Sequence, residues 1–252
     1  MMSTLTSAGL ARGGAPRALD GRVALITGST EGRGLAIAAG LAARGAMIAL
    51  AGPGDPAAIR SLCQSLGTDF DVPVWHDDAD MSDAAALADM VERIQRGLGA
   101  VDILVSQGDQ RLGDPAAEPM RDLAVYFHAT AAVLPGMQRR GFGRIINVAP
   151  AIDPSVTDID ARHRVIHDIL THLTEATSRR LSSHGITCHA LLQVRDSTAA
   201  GPPPLPLVAT DAPHLPPLAL VSLVAGLCGE EVASVPGLHW TAVGIDGPSD
   251  HS

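Results

Sequence analysis

The sequence predicts an α/β fold: a doubly wound parallel sheet of seven strands in a single domain. Short apolar runs alternate with stretches of helical periodicity from Gly21 to the C-terminal region, as in successive β-α units. The first run, residues 23–26, leads into a glycine-rich turn and then a helical pattern. This order is typical of the first β-α unit of such a sheet, and 252 residues suit one large core.

Each strand is predicted from a short apolar run and each helix from apolar residues at helical spacing. The predicted strands are residues 23–26, 47–51, 72–75, 101–105, 144–148, 186–192 and 238–245. The predicted helices are one ending near residue 44, then 57–66 with Gly67 as its cap, 83–96, 121–140, 158–182 and 218–227.

Two stretches lack this periodicity. Residues 1–19 are small, polar and rich in glycine, and we interpret them as a mobile N-terminal tail. Residues 196–217 are rich in proline and predict an irregular loop. The domain organisation is therefore a tail followed by one domain over residues 20–252, with no linker that divides it.

The composition excludes several classes of function. The net charge of −9 argues against binding of nucleic acids or anionic membranes. No apolar run reaches about 18 residues, so we expect no membrane-spanning helix. The three scattered cysteines lack the spacing of a metal site and favour a reduced, cytoplasmic protein. All 18 basic residues other than histidine are arginine, and Tyr126 is the single tyrosine.

The turn after the first strand has the spacing T-G-x-x-x-G-x-G, from Thr27 to Gly34. Glycines let the backbone approach a ligand, and the helix N-terminus behind them favours a pyrophosphate. This turn resembles the cofactor turn of the short-chain dehydrogenase family. The motifs Val101-Asp102-Ile103-Leu104-Val105 and Gly143-Arg144-Ile145-Ile146-Asn147-Val148 resemble its 3-hydroxybutyrate and 3-hydroxyacyl-CoA dehydrogenase branch. The resemblance implies a Rossmann-like fold.

The resemblance also implies where catalytic residues should stand. The family uses a serine, a tyrosine and a lysine, with an asparagine that anchors a water relay. At these positions the sequence has Pro150, His163 and His167, and the asparagine falls near Asp122. Proline has no side-chain donor, and the chain has no lysine to take over the role. The resemblance therefore implies that this chain has no catalytic residues of the family type.

The resemblance implies NAD as the cofactor, in this chain or in its partner. Gly28, Gly32 and Gly34 would lie against the pyrophosphate, and Asp80 with Met81 would contact the adenine. The same glycines are also needed simply to pack the first helix on the sheet. Arg33 stands where the family has an apolar residue, and its side chain could fill the pyrophosphate site. A retained turn without a ligand is therefore the alternative interpretation.

His163 and His167 are four residues apart, so they share one helix face. Such a pair could ligate zinc or act as acid and base. Without a third ligand, two polar residues at a subunit surface are the preferred interpretation. Asp77, Asp78 and Asp80 predict a solvated acidic loop, and no metal site is predicted.

The function that we predict is a non-catalytic subunit. The resemblance is to the inactive subunit of heteromeric family members, such as the hydroxyacyl-CoA dehydrogenase of the benzylsuccinate pathway. It implies an active paralogue as partner in a heterotetramer, assembled through the long helices around the fifth strand. One alternative is an enzyme with replaced chemistry, a lyase or isomerase that uses His163 and His167. Another is a binding module that senses NAD(H).

Overall fold

The computed structural model describes residues 17–108, 119–152, 158–194, 217–229 and 239–243. These residues form alternating strands and helices. The strands are β1 (Val23–Thr27), β2 (Met47–Ala51), β3 (Val74–Asp77), β4 (Val101–Gln107), β5 (Gly143–Ile152), β6 (Ile186–Val194) and β7 (His239–Val243). The helices are α1 (Gly32–Ala42), α2 (Pro56–Phe70), α3 (Ala84–Gly97), α4 (Pro119–Arg140), α5 (Asp158–Leu181) and α6 (Pro217–Leu227).

The strands form one parallel sheet in the order β3-β2-β1-β4-β5-β6-β7. Val23 of β1 lies opposite Met47 of β2 on one side and Val101 of β4 on the other. The chain therefore winds outward in both directions from β1 and β4, and the order reverses between them. This confirms the predicted α/β class, a Rossmann-like parallel sheet within a single domain.

Two layers of helices cover the sheet. One face packs against α1, α2 and α6, and the other against α3, α4 and α5. Both layers are filled by aliphatic side chains, because the chain has few aromatic residues. Buried helix residues of the first layer include Ile37, Leu41, Leu66, Leu220 and Val224, and those of the second include Leu87, Met90, Val133, Met137, Ile166 and Leu170.

The predicted bounds around the third strand are wrong. Helix α2 continues through Gly67 to Phe70 and ends at Asp71, whose φ of 54° is left-handed. The Val72 N–H then donates to the Gly67 carbonyl at 3.4 Å, and Pro73 has no N–H to donate. Strand β3 therefore begins only at Val74, two residues after the predicted start.

The packed structure begins before the predicted domain boundary. Leu19, the last residue of the predicted tail, is 2% exposed within the core. Its N–H donates to the Arg44 carbonyl at 3.0 Å, and Arg17 pairs with Asp20 at 2.9 Å. Residues 1–16 and most of the predicted proline-rich loop, 196–216, lie outside the described residues. In the part of the chain that is described, no helix is both long and apolar enough to span a bilayer.

Candidate nucleotide cleft and the positions of the family catalytic residues

A cleft of about 210 Å³ opens where β1 to β4 end, at the reversal of strand order. This place is the usual ligand position of doubly wound sheets. Of the predicted cofactor residues, Gly28 and Asp80 line it together. The other lining residues are Gly52, Pro53, Asp78, Ala79, Met81, Ser82, Gln107, Gly108 and Val125.

Hydrogen bonds between β1 and β4 form the floor of this cleft. The Thr27 hydroxyl donates to the Gln107 carbonyl at 2.9 Å and accepts from the Gln107 N–H at 2.7 Å. The Gln107 side-chain amide donates to the Thr27 carbonyl at 3.3 Å. Ser29 connects the turn to β2, since its hydroxyl accepts from the Ala51 N–H at 3.1 Å. Hydrogen bonds to β2 and β4 therefore hold the turn in place.

The three glycines of the turn have different roles. Gly28 has a left-handed φ of 59°, which favours glycine, and a Cβ there would lie in ordinary contact, 3.7 Å from the Gly108 carbonyl oxygen. Gly34 packs so tightly that a Cβ would overlap the Gly28 carbonyl oxygen. Gly32, with a φ of 56°, begins α1. Gly32, Arg33 and Gly34 are not among the residues that line the cleft, so whether Arg33 fills the pyrophosphate site stays a prediction.

The acidic loop after β3 is ordered by its own contacts. Asp77 accepts two hydrogen bonds from Arg93, at 2.8 and 2.9 Å, and one from the Ala79 N–H. Burial alone would raise the pKa of Asp77, but these hydrogen bonds outweigh burial and hold the pKa below its usual value. Asp80 accepts from both the Ser82 N–H and the Ser82 hydroxyl. Among the described side chains, no three His, Cys, Asp or Glu residues group as a metal site would require.

The residues at the family's catalytic positions contact each other directly. Pro150, at the serine position, accepts a hydrogen bond on its carbonyl oxygen from His167 Nε2, at 2.7 Å. His167 stands at the lysine position, and His163 lies one helical turn before it in α5. Asp122 belongs to the first turns of α4, but its side chain lies outside the described residues. The structure thus brings Pro150 and His167 together.

The preferred interpretation of the two histidines as surface residues is wrong for this chain. His163 is 9% exposed and His167 is 7% exposed. Burial lowers the pKa of His167, and the nearby His163 lowers it further, while the Pro150 carbonyl opposes the shift. His167 is therefore a neutral imidazole near pH 7, and its Nε2 proton is bound to a backbone carbonyl.

We expect the stability of the chain to fall as the pH drops below about 6.5, the pKa of a histidine in an unfolded chain. Below that pH the unfolded state gains a proton on His167 that the folded state resists, so unfolding becomes easier. His167→Gln keeps a donor for Pro150 and should flatten the slope of unfolding free energy against pH. Urea unfolding between pH 5 and 7.5 measures this. His172→Gln, an exposed change on the same helix, should keep the wild-type slope; equal slopes for all three proteins would contradict the prediction.

Tyr126 contacts a residue of the cleft wall, Gly108, although no role was predicted for it from the sequence. Its ring is fully buried in α4, and its hydroxyl accepts from the Gly108 N–H and donates to the Val148 carbonyl, each at 2.9 Å. Gly108 lines the cleft, and Val148 lies two residues before Pro150. The only sequence signal was that this is the single tyrosine of a chain poor in aromatic residues.

The residues of the cleft fit the adenosine half of a dinucleotide. The volume of about 210 Å³ is smaller than the roughly 300–1,000 Å³ of most small-molecule pockets. Gly28 offers bare backbone next to the N-terminal end of α1, as a pyrophosphate requires. Asp80, Met81 and Gly52 form the opposite wall, where a base and its ribose would lie. These residues could hold the adenosine part of NAD.

Comparison with known proteins finds similarity to dehydrogenases and reductases. The family described as short chain dehydrogenase matches residues 22–153. D-beta-hydroxybutyrate dehydrogenase from Cupriavidus necator is 35% identical over 187 residues, which cover 69% of this chain and 70% of that protein. Acetoacetyl-CoA reductase from Rhizobium meliloti is 29% identical over 179 residues, covering 68% and 72%. The (2S)-[(R)-hydroxy(phenyl)methyl]succinyl-CoA dehydrogenase subunit BbsC from Thauera aromatica is 31% identical over 138 residues, covering 52% and 55%.

Proposed function

We propose that this chain, which belongs to the short-chain dehydrogenase family of oxidoreductases, is a non-catalytic subunit of a heteromeric dehydrogenase. In this proposal it supports an active paralogue that oxidises a 3-hydroxyacyl-CoA-type alcohol with NAD. The observation that carries the proposal is the hydrogen bond between His167 Nε2 and the Pro150 carbonyl. This hydrogen bond joins a neutral imidazole to a backbone carbonyl at the two positions where the family has its serine donor and its lysine cation.

Oxidation of an alcohol by NAD requires a base for the hydroxyl proton while the hydride leaves the carbon. A phenol serves as that base when a cation lowers its pKa toward the working pH. His167 is held neutral by burial, and Pro150 has no side-chain donor. The single tyrosine, Tyr126, is 0% exposed and has its hydroxyl bound to two backbone groups. These features support a role in assembly rather than in chemistry.

The names of the relatives support the substrate class. Acetoacetyl-CoA reductase is named for a 3-oxoacyl-CoA and D-beta-hydroxybutyrate dehydrogenase for a 3-hydroxy acid, and BbsC is named as a subunit of a dehydrogenase of a hydroxyl-bearing succinyl-CoA. We propose the same class of substrate for the complex that contains this chain. The reduced, cytoplasmic setting belongs to the same proposal, and the buried thiols of Cys188 and Cys228 are compatible with it, because burial raises the pKa of each to about 12.

The long helices α4 and α5 are the proposed docking elements for the partner. Each carries a large apolar side chain in solvent: Phe127 of α4 is 44% exposed and Val165 of α5 is 50% exposed. Single exposed apolar residues are common on protein surfaces. Here they stand on the two helices through which the family resemblance implies assembly, so we include both residues in the proposed interface of the heterotetramer.

The test is to produce the chain alone and together with any intact short-chain dehydrogenase whose gene is found next to its own. We expect the two proteins to co-purify, and the pure chain to show no NAD-dependent oxidation of 3-hydroxybutyryl-CoA. Phe127→Glu and Val165→Glu should each weaken assembly at least tenfold, since a buried carboxylate in an interface is costly. Ser65→Glu places the same charge on an exposed site of α2, on the other side of the sheet, and should assemble normally.

Three outcomes would contradict the proposal. A homo-oligomer that takes up no dehydrogenase partner would remove the basis for a supporting subunit. Turnover by the pure chain that His163→Ala abolishes would favour the enzyme with replaced chemistry. In the complex, His163→Ala and His167→Gln should leave the turnover rate unchanged, so a large loss there would place these histidines in the reaction.

A further inference from the structure

The hydroxyl of Tyr126 lies at a point where the sheet loses its regular hydrogen bonding. Strand β4 ends at Gln107, so the N–H of Gly108 lies beyond the hydrogen bonds that β4 makes with its neighbouring strands. Strand β5 shifts its register against β6 between Val148 and Ala151. Buried backbone groups need partners, and the phenol serves both strands, accepting from Gly108 and donating to Val148.

These two hydrogen bonds reach the wall of the cleft. Gly108 and the adjacent Gln107 line the cleft. Gln107 also holds Thr27, the residue before Gly28, through three hydrogen bonds. A movement of Gly108 would therefore displace the wall of the cleft beside the glycine turn. The Tyr126 ring cannot follow such a movement, because it is packed among Leu123, Ala149 and Ile166.

We propose that Tyr126 is a positioning residue for dinucleotide binding: its hydroxyl holds Gly108 and the end of β4 in place beside the cleft. The ligand class is an adenine dinucleotide, for which the bare backbone at Gly28 and the wall at Asp80 and Met81 provide the space. This inference rests on the proposed function only in taking NAD as the dinucleotide of the complex. It gives Tyr126 a role in this chain that involves no proton transfer.

The test is titration calorimetry of NAD and of ADP-ribose with the purified full chain and with Tyr126→Phe. The change removes the hydroxyl and leaves the ring in the core. We expect the wild-type chain to bind both ligands and Tyr126→Phe to bind them about fivefold more weakly or worse, since a net hydrogen bond contributes on this scale. ADP-ribose lacks only the nicotinamide ring, so a similar loss for both ligands would locate the effect in the ADP-ribose part of the dinucleotide.

A control variant must show whether Tyr126→Phe weakens ligand binding through lost stability of the fold or through lost positioning of Gly108. Val133→Ala is the matched control, because Val133 is 2% exposed in the same helix and packs in the other cluster of that layer. It should destabilise the fold by truncation and leave the dissociation constants of both ligands unchanged. All titrations are made well below the unfolding temperature of each variant.

Two results would overturn the inference: no binding of either ligand by the wild-type chain at millimolar concentration, or equal affinity of Tyr126→Phe and wild type. A third measurement separates this inference from the proposed function. Turnover of 3-hydroxybutyryl-CoA by the pure chain would sink the proposed function, while a weakened dinucleotide affinity of Tyr126→Phe would still support the positioning role.

Discussion

Arg144→Met should lower the free energy of unfolding by about 3 kcal/mol or more, because it removes the donor from one buried and two partly buried hydrogen bonds to carbonyl oxygens. Arg144 is among the largest fully buried side chains, at 2% exposure. Its guanidinium donates to the carbonyls of Gly143 and Gly185 at 2.9 and 3.1 Å, and to that of Gly229 at 3.3 Å. One side chain thus joins β5, the turn before β6 and the end of α6.

The aromatic neighbour of Arg144 adds to this effect. The guanidinium lies 4.3 Å from the centre of the Phe142 ring, and Arg22 lies over the same ring at 3.7 Å. Cation–π contacts of this kind contribute roughly 0.5–2 kcal/mol. Methionine keeps most of the apolar stem in place, so the loss measured for Arg144→Met reports mainly on the guanidinium rather than on a cavity.

Urea unfolding followed by circular dichroism measures the loss for Arg144→Met. The midpoint should fall while the slope m stays constant, which indicates a change in stability alone. Arg144→Lys should recover only part of the loss, because an ammonium lacks the planar fork that serves several acceptors. Arg139→Met, an exposed change on α4, should stay within about 0.5 kcal/mol of wild type. A loss below about 1 kcal/mol for Arg144→Met would show that water replaces the missing donors.

Gly34→Ala should be nearly as damaging, because backbone atoms of Gly28 and Ser29 leave no room for the added methyl. Its Cβ would overlap the Gly28 carbonyl oxygen and lie 2.6 Å from Gln107 Nε2 and 2.8 Å from Ser29 Cα. Two of these neighbours are backbone, so α1 would have to move away from the turn. Overpacking of this kind costs about 1–3 kcal/mol, and the movement would also disturb the Gln107 side of the cleft.

Gly226→Ala is the matched control for the change at Gly34. It introduces the same methyl in α6, where a Cβ would meet nothing within 4 Å. Alanine is the better helix former by roughly 0.5–1 kcal/mol, so this variant should be slightly more stable than wild type. Thermal unfolding of both variants, with NAD titrations alongside, gives the comparison. A Gly34→Ala protein as stable as wild type would contradict the prediction, since it would mean that α1 can shift away from the turn at little cost in free energy.

Local patterns were enough to predict most of the fold. Four-residue apolar runs and the glycine turn at Gly28 and Gly34 are short-range features, and they imply strand, turn and helix without reference to the rest of the chain. The end of α2 was mispredicted because glycine is tolerated within a helix at a modest cost. The start of β3 was mispredicted because the Val72 N–H is used by the helix before it.

The candidate site was less predictable. The sequence placed His163 and His167 on one helix face, but their burial depends on which elements cover that face. The hydrogen bond from His167 to the carbonyl of Pro150 involves a backbone atom, so the side chain of proline gives no sign of it. Gly28 and Asp80, which the family resemblance associates, both line the cleft. The packing role of Gly34 depends on neighbouring atoms that no local pattern identifies.

The sequence by itself determined the parallel α/β architecture, and its lack of lysine and its single tyrosine limit which side chains any fold could bring together. The tertiary structure decided what the remaining residues do. Tyr126 reaches partners 18 and 22 residues away, and Arg144 reaches carbonyls 41 and 85 residues away. Such contacts depend on the order of the strands and on where each one ends, which arise from packing of the whole chain and not from any local pattern.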